Sequence, residues 1–202
     1  MRTLFLDLAS HEGCIACCDT AQVLAFEPAS PGMRDDALIP AIERVLATAN
    51  TSWQSLTHVA CVTGPGGFTS LRVGVTCANT VADQRTLPIA GVHLSDVYHA
   101  RSGKADCLWL HSTRKHELFV RGFGTYATNW PEPILVQLEE FVPLFPTNAL
   151  WMGECIAEHS VALAARSPQQ AKLREVQEVL PALLAGLPYS NAPLMPWYGR
   201  GF

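Results

Sequence analysis

The segment best suited to bind a ligand is a glycine-rich loop, Gly64-Pro65-Gly66-Gly67-Phe68-Thr69-Ser70, between a predicted strand and a predicted helix. Glycine allows positive φ angles and close backbone approach. A helix N-terminus presents free N–H groups and a positive dipole end to an anion. We expect Thr69 to cap the helix and Arg72 to pair with a phosphate. The loop is not a Walker loop, because Gly-Lys-Ser/Thr is absent. The alternative is a tight strand-to-helix turn whose glycines serve packing.

A second polar pair, Asp7 and Ser10, follows the first predicted strand and is typical of a phosphate-facing turn. A lone aspartate is insufficient for hydrolysis, and no set of Ser, His and Asp indicates a nucleophile. None of the seven histidines has the HxxxH or HExxH spacing that places two metal ligands on one helix face. His111 and His116 flank a predicted hairpin, where we expect solvated side chains. The sequence thus predicts no catalytic residue and no metal site.

The seven cysteines bear on the redox environment of the protein. Their number is odd, and no secretory signal precedes them. The Cys14-x-x-Cys17 spacing has no second CxxC and no histidine pair at zinc-finger spacing beside it. We therefore expect reduced, mostly buried thiols in a cytoplasmic protein.

Composition excludes several function classes. The chain has 202 residues with 14 basic and 18 acidic side chains, which gives a net charge of −4. A dedicated nucleic-acid binder usually carries a basic excess, so contact with nucleic acid is expected through a partner. Disordered and fibrous classes are excluded by the apolar, repeat-free composition. The sequence contains no apolar run of 18 residues, so no membrane span is predicted.

The elements that must position these residues alternate between strands and helices in both halves, which indicates an α/β protein with mixed sheets. A division at residues 102–104 predicts an N-terminal domain at 1–101 and a C-terminal domain at 102–202. The proline-rich stretch 130–146 is expected to be loop or edge, and the tail 190–202 to lie on a surface. Strands are predicted near 3–8, 14–18, 23–27, 58–63, 88–92, 106–111, 117–123 and 149–153, and helices near 35–49, 71–83, 95–101, 154–165 and 176–187.

The helix that follows the glycine-rich loop is apolar on both sides, with a narrow polar wedge that includes Arg72 and Asn79. A surface helix needs an apolar stripe of only about 100°. Small residues such as Gly74, Cys77 and Ala78 would permit close helix approach. Two interpretations stay open, complete burial within the monomer or packing of one face against a partner.

Two motifs resemble the TsaB (YeaZ) family. The chain opens with Leu4-Phe5-Leu6-Asp7-Leu8-Ala9-Ser10, where the family has an apolar strand ending in Asp-Thr-Ser. The run from Gly64 through Gly74 is similar to its GPGSFTGxRxG pattern, and Pro196-Trp197-Tyr198-Gly199-Arg200 also agrees. The second-half pattern departs, because Ser112 and His116 replace an aspartate and a glycine.

The resemblance implies an actin/Hsp70-like (ASKHA, RNase H-like) duplicated fold with a shortened second lobe. It also implies a non-catalytic scaffold that binds and activates TsaD and acts with TsaE. Together they make N6-threonylcarbamoyladenosine at position 37 of tRNA, and glycoprotease activity is not supported. The chain would contact tRNA only through the complex and would also form a homodimer. It would bind no cofactor by itself, and ATP or ADP would bind at the complex interface.

The resemblance further places the partner interface on two N-lobe helices. Its candidate residues are Leu38, Ile42, Val73, Gly74, Cys77, Thr80 and Val81. Two alternatives remain for the function. The chain could be a small-molecule ASKHA phosphotransferase or phosphatase that uses Asp7 and the loop glycines, or a divergent homodimeric paralogue.

Overall fold

The computed structural model describes residues 1–29 and 35–199, which form two compact units. The first unit comprises Met1–Leu94 and Glu175–Tyr198, and the second is built from Ser95–Arg174. In the part of the chain that is described, no helix is long and apolar enough to cross a membrane.

The first unit holds a five-stranded mixed sheet in the order β3-β2-β1-β4-β5. Strands β1, β2 and β3 form an antiparallel meander, whereas β4 and β5 run parallel to β1. The bounds are β1 Thr3–Asp7, β2 Cys14–Cys18, β3 Val23–Pro28, α1 Asp35–Thr48, β4 His58–Gly64, α2 Phe68–Arg85 and β5 Ile89–His93.

Helices α1 and α2 cover one face of this sheet, because their apolar residues recur at helical spacing. Leu4 and Leu6 of β1 pack there in one core with Ile42 of α1 and Val75 of α2. All five residues of β1 are buried, as expected for a central strand with both faces covered. Helix α1 spans Asp35–Thr48 and contains Pro40.

The second unit repeats the topology of the first. Its sheet has the order β10-β9-β6-β7-β8, in which β6–β7–β8 is an antiparallel meander and β9 and β10 continue parallel to β6. This duplication confirms the predicted actin/Hsp70-like α/β architecture. The bounds are α3 Leu94–Ser102, β6 Cys107–Arg114, β7 Glu117–Phe123, β8 Ile134–Gln137, α4 Leu138–Leu144, β9 Leu150–Glu154, α5 Ala157–Leu163 and β10 Gln169–Gln170. The chain then continues into α6 Val176–Ala185, which belongs to the first unit.

The compact units divide the chain differently from the predicted boundary at residues 102–104. The first unit ends at Leu94, and Glu175–Tyr198 returns to it. In that segment α6 packs on β3, and Ser190 forms an antiparallel bridge with Ile89. We call residues 190–198 the C-terminal strap. These long-range contacts, which sequence spacing does not reveal, are the reason for the difference.

Candidate functional site

The glycine-rich loop is packed between the turn after β1 and the C-terminal strap. Gly64 has a φ of 143°, which favours glycine, and the Trp197 carbonyl lies directly against it. A Cβ on Gly66 would come within 2.8 Å of the Ala9 backbone. The loop and the Asp7 turn are therefore adjacent, as an anion site would require, and close packing explains two of the glycines. Anion binding itself stays a prediction.

The carboxylate of Asp7 shapes the turn to which it belongs. Its Oδ1 accepts hydrogen bonds from the Ala9 N–H at 2.9 Å and the Ser10 N–H at 3.1 Å. The Ser10 hydroxyl donates to Oδ2 at 2.7 Å. Both side chains are buried. The predicted pairing of Asp7 with Ser10 is present, and its hydrogen bonds are directed to the protein's own backbone and hydroxyl.

The start of α2 differs from the prediction at Thr69. Gly67 is the N-cap residue, with extended dihedral angles of −60° and 132°, and no side chain caps the helix. Thr69 lies inside the first turn because the helix begins at Phe68. The expectation that Thr69 caps the helix is therefore wrong. The Arg72 guanidinium lies over the Phe68 ring, 5.2 Å from its centroid, and Phe68 in turn contacts Tyr198 at 5.3 Å.

A groove of about 450 Å³ runs between α1 and α2 on the surface of the first unit. Its lining is mostly apolar, and Arg72 is the charged residue among those that line it. Five of the predicted interface residues meet there. The lining residues are Leu38, Ile39, Arg72, Val73, Thr76, Cys77, Thr80 and Val81.

Two predicted interface residues, Ile42 and Gly74, face the interior instead. Ile42 is fully buried in the core of the first unit. A Cβ on Gly74 would contact the Leu8 side chain at 3.5 Å, so this glycine allows α2 to approach the segment after β1. At 100° per residue Gly74 lies with Leu71 and Ala78 on the buried side of α2. The structure thus corrects the placement of both residues.

A buried polar cluster in the second unit was not expected from the sequence. His111, predicted to be solvated, is only 2% exposed, and its Nδ1 lies 3.4 Å from Glu154 Oε2. The Tyr98 hydroxyl donates to the other oxygen of Glu154. The alternation of side chains along β6 could have predicted the burial of His111, because His111 lies on the same face of the strand as the buried Trp109.

A second buried pair joins Ser112 to His159 on α5, with 2.6 Å between Oγ and Nδ1. His159 Nε2 lies 2.8 Å from the Lys115 carbonyl oxygen. Because a carbonyl only accepts, Nε2 carries the proton and the Ser112 hydroxyl donates to Nδ1. His159 is fully buried, so the pair anchors the β6–β7 hairpin to α5. Among the described residues, no group of three or more His, Cys, Asp or Glu could hold a metal ion.

Part of the chain is similar in sequence to known proteins. A family model described as "TsaD: tRNA N6-adenosine threonylcarbamoyltransferase" matches residues 35–130. The Escherichia coli K12 "tRNA threonylcarbamoyladenosine biosynthesis protein TsaB" is 30% identical over 92 residues, which are 46% of this chain. The match covers 40% of that relative's length.

Solved structures extend the likeness over the whole fold. A structure described as "an uncharacterized protein with similarity to peptidase YEAZ from Pseudomonas aeruginosa" superposes with a TM-score of 0.77. It is 18% identical, and the match covers 98% of this chain and 99% of that one. The chain thus has the fold of the YeaZ structures and is similar in sequence to TsaB over part of its length. YeaZ from Pseudomonas aeruginosa gives a TM-score of 0.63 at 15% identity, over 81% of this chain and 90% of that one.

These similarities agree with the family resemblance that the glycine-rich motif indicated. The α1–α2 groove and the glycine-rich loop both lie within residues 35–130, which the family model matches. The polar groups of the Asp7 turn form hydrogen bonds within that turn, whereas the groove presents a mostly apolar surface.

Proposed function

We propose that this chain is a non-catalytic subunit in the synthesis of N6-threonylcarbamoyladenosine at position 37 of tRNA. It binds and activates a TsaD-type subunit through the α1–α2 groove. The observation that carries the proposal is the groove itself, an apolar surface on the two helices that the family resemblance assigns to partner binding.

The groove has the chemistry of a protein-binding surface. Ile39 at its edge is 45% exposed, although leaving a large aliphatic side chain in water costs about 1.5–3 kcal/mol relative to burial. An exposed, mostly apolar surface with polar residues at its edge is typical of an interface with another protein. Thr76, Cys77 and Thr80 are small, so a partner helix can approach α2 closely.

The names of the similar proteins supply the reaction. The E. coli relative is a threonylcarbamoyladenosine biosynthesis protein, and the matching family model describes the threonylcarbamoyltransferase TsaD. We propose that the chain works with TsaD and TsaE in the cytoplasm and contacts tRNA through the complex. Any ATP or ADP is then held at the complex interface, and the chain forms a homodimer through the same groove when TsaD is absent.

A supporting rather than a catalytic role agrees with how the polar residues are used. The Asp7 carboxylate accepts three hydrogen bonds from its own turn. The Ser112–His159 pair is buried and joins two elements of one unit. Neither arrangement presents a nucleophile or base to a substrate.

The test is reconstitution of tRNA modification. Threonylcarbamoyladenosine formation on tRNA is measured with a supplied activated threonylcarbamoyl donor and with TsaD and TsaE of the same organism, with and without this chain, and with the chain alone. We expect product only when TsaD and this chain are both present. Val73→Glu should abolish the stimulation, whereas Val161→Glu, at a residue of the second unit that is 75% exposed, should not. Full activity without the chain, or product formed by the chain alone, would overturn the proposal.

A further inference from the structure

Arg72 lies at the edge of the α1–α2 groove in an unusual setting. It is exposed, it lines the groove, and its guanidinium lies over the Phe68 ring at 5.2 Å from the centroid. Within the described residues Arg72 forms no ion pair, whereas Arg44 on α1 is paired with Glu27. A cation that is held against an aromatic face and left without a counter-charge is suited to an anion from outside.

The ring beneath Arg72 is held by further aromatic contacts. Phe68 is 59% exposed and lies 5.3 Å from the Tyr198 ring of the C-terminal strap. The neighbouring Trp197 is fixed, because its N–H donates to the Thr63 carbonyl at 2.7 Å and its ring contacts His93 at 4.5 Å. Tyr198 therefore follows an anchored residue, and the corner formed by Arg72, Phe68 and Tyr198 is preorganised.

We infer that this corner extends the partner-binding surface beyond the groove and that Arg72 binds a carboxylate of the partner protein. The inference rests on the proposed function, since the partner is the protein that fills the groove. The corner is continuous with the groove through Arg72 itself. The planar guanidinium can form two parallel hydrogen bonds with a carboxylate, and arginine and aromatic residues are frequent anchors of protein interfaces.

A protein carboxylate is favoured over a phosphate by what surrounds Arg72. Its groove neighbours are apolar or neutral, including Leu38 and Val73, and such a surface matches the facing side chains of a protein. The flanking Phe68 ring adds exposed apolar area that a partner would cover. A phosphate ligand would gain nothing from this apolar surface.

The experiment measures binding of the TsaD-type partner by isothermal titration calorimetry. Arg72→Gln should weaken binding about tenfold or more, and Phe68→Ala severalfold. Arg72→Lys should recover only part of the loss, because an ammonium lacks the planar pair of donors. Arg85→Gln is the matched control at an exposed position of the same helix, outside the groove, and should change the Kd less than twofold. Added salt should weaken the wild type more than Arg72→Gln.

The outcomes separate this inference from the proposed function. If Val73→Glu abolishes binding and Arg72→Gln leaves the Kd within twofold, the groove is the interface and the inference about Arg72 is overturned. If Arg72→Gln spares partner binding and instead weakens binding of ADP to the complex, the phosphate interpretation replaces it. If Val73→Glu also leaves the Kd unchanged, the proposed function itself fails.

Discussion

Asn79 of α2 and Leu194 of the C-terminal strap exchange two hydrogen bonds. The Leu194 N–H donates to Asn79 Oδ1 at 2.8 Å, and Asn79 Nδ2 donates to the Leu194 carbonyl at 3.0 Å. The pair joins residues 115 positions apart in the chain. One side chain thus satisfies both backbone groups of a strap residue and fixes the strap to the helix that also forms the groove.

Asn79→Ala should release the strap and destabilise the first unit. The change removes both hydrogen bonds and leaves part-buried backbone groups of Leu194 without a protein partner, at a cost of about 1–3 kcal/mol. Urea unfolding measures the loss, and hydrogen exchange should speed up in residues 190–198. Gln84→Ala, at an exposed position of the same helix, is the control. Equal stability of the two variants would contradict the assignment.

The loop glycines should differ in their tolerance of a side chain. Gly66→Ser would place Cβ within 2.8 Å of the Ala9 backbone and should cost about 1–3 kcal/mol. Gly67→Ser has its nearest neighbour at 3.6 Å and introduces a good N-cap residue, so its stability should be equal to that of the wild type or higher. Thermal unfolding compares them. A Gly66→Ser protein as stable as Gly67→Ser would show that the loop is not packed against the Asp7 turn.

Ser112→Ala should loosen the β6–β7 hairpin. His159 Nδ1 would be left buried without its donor, at a cost of about 1–3 kcal/mol. Ser160→Ala is the control on α5, because its hydroxyl makes only a long 3.4 Å hydrogen bond at an exposed position. In urea, the free energy of unfolding should be equal for the wild type and Ser160→Ala and lower for Ser112→Ala. A Ser112→Ala variant as stable as Ser160→Ala would contradict the predicted anchor.

Buried thiols should make the protein less stable at alkaline pH. Burial raises the pKa of Cys18 from 9.0 to about 12, so the folded state retains a proton that the unfolded state loses above pH 9. Stability is therefore fully present below pH 9 and falls by about 1.4 kcal/mol per pH unit from this thiol as pH rises towards 12. Between pH 9 and 10 the free energy of unfolding of Cys18→Ala should fall by about 1 kcal/mol less than that of the wild type. If the free energies of unfolding of the wild type and Cys18→Ala fall equally as the pH rises, the raised pKa of Cys18 is contradicted.

The elements of the first unit were predictable because their signals are local. The alternation of Leu4 and Leu6 marked β1, and helical spacing marked α1 and α2. The return of Glu175–Tyr198 to this unit was not predictable, since it depends on long-range hydrogen bonds such as that between Asn79 and Leu194.

Strand β8 and helix α4 of the second unit were predicted as loop or edge. The edge position of β8 agrees, and Pro143 within α4 concealed the helix.

The sequence was sufficient to predict which segments form the candidate site. It was not sufficient to predict which side of each helix lies on the surface. Helix α2 is apolar on both sides, so its pattern gives no direction that separates Val73 from Gly74. Only packing against Leu8 shows that Gly74 is interior. The buried His111 was missed for the opposite reason, because polar residues near a hairpin were assumed to be solvated although strand alternation placed His111 beside Trp109.

The most direct test of the account is whether the α1–α2 groove binds TsaD. The chain and the TsaD of the same organism are co-expressed, purified together and examined by size-exclusion chromatography with light scattering. We predict a heterocomplex with the mass of one copy of each that is lost in Val73→Glu, while the variant keeps the wild-type Tm. Separate elution of the wild-type chain and TsaD, or an intact complex with Val73→Glu, would contradict the account.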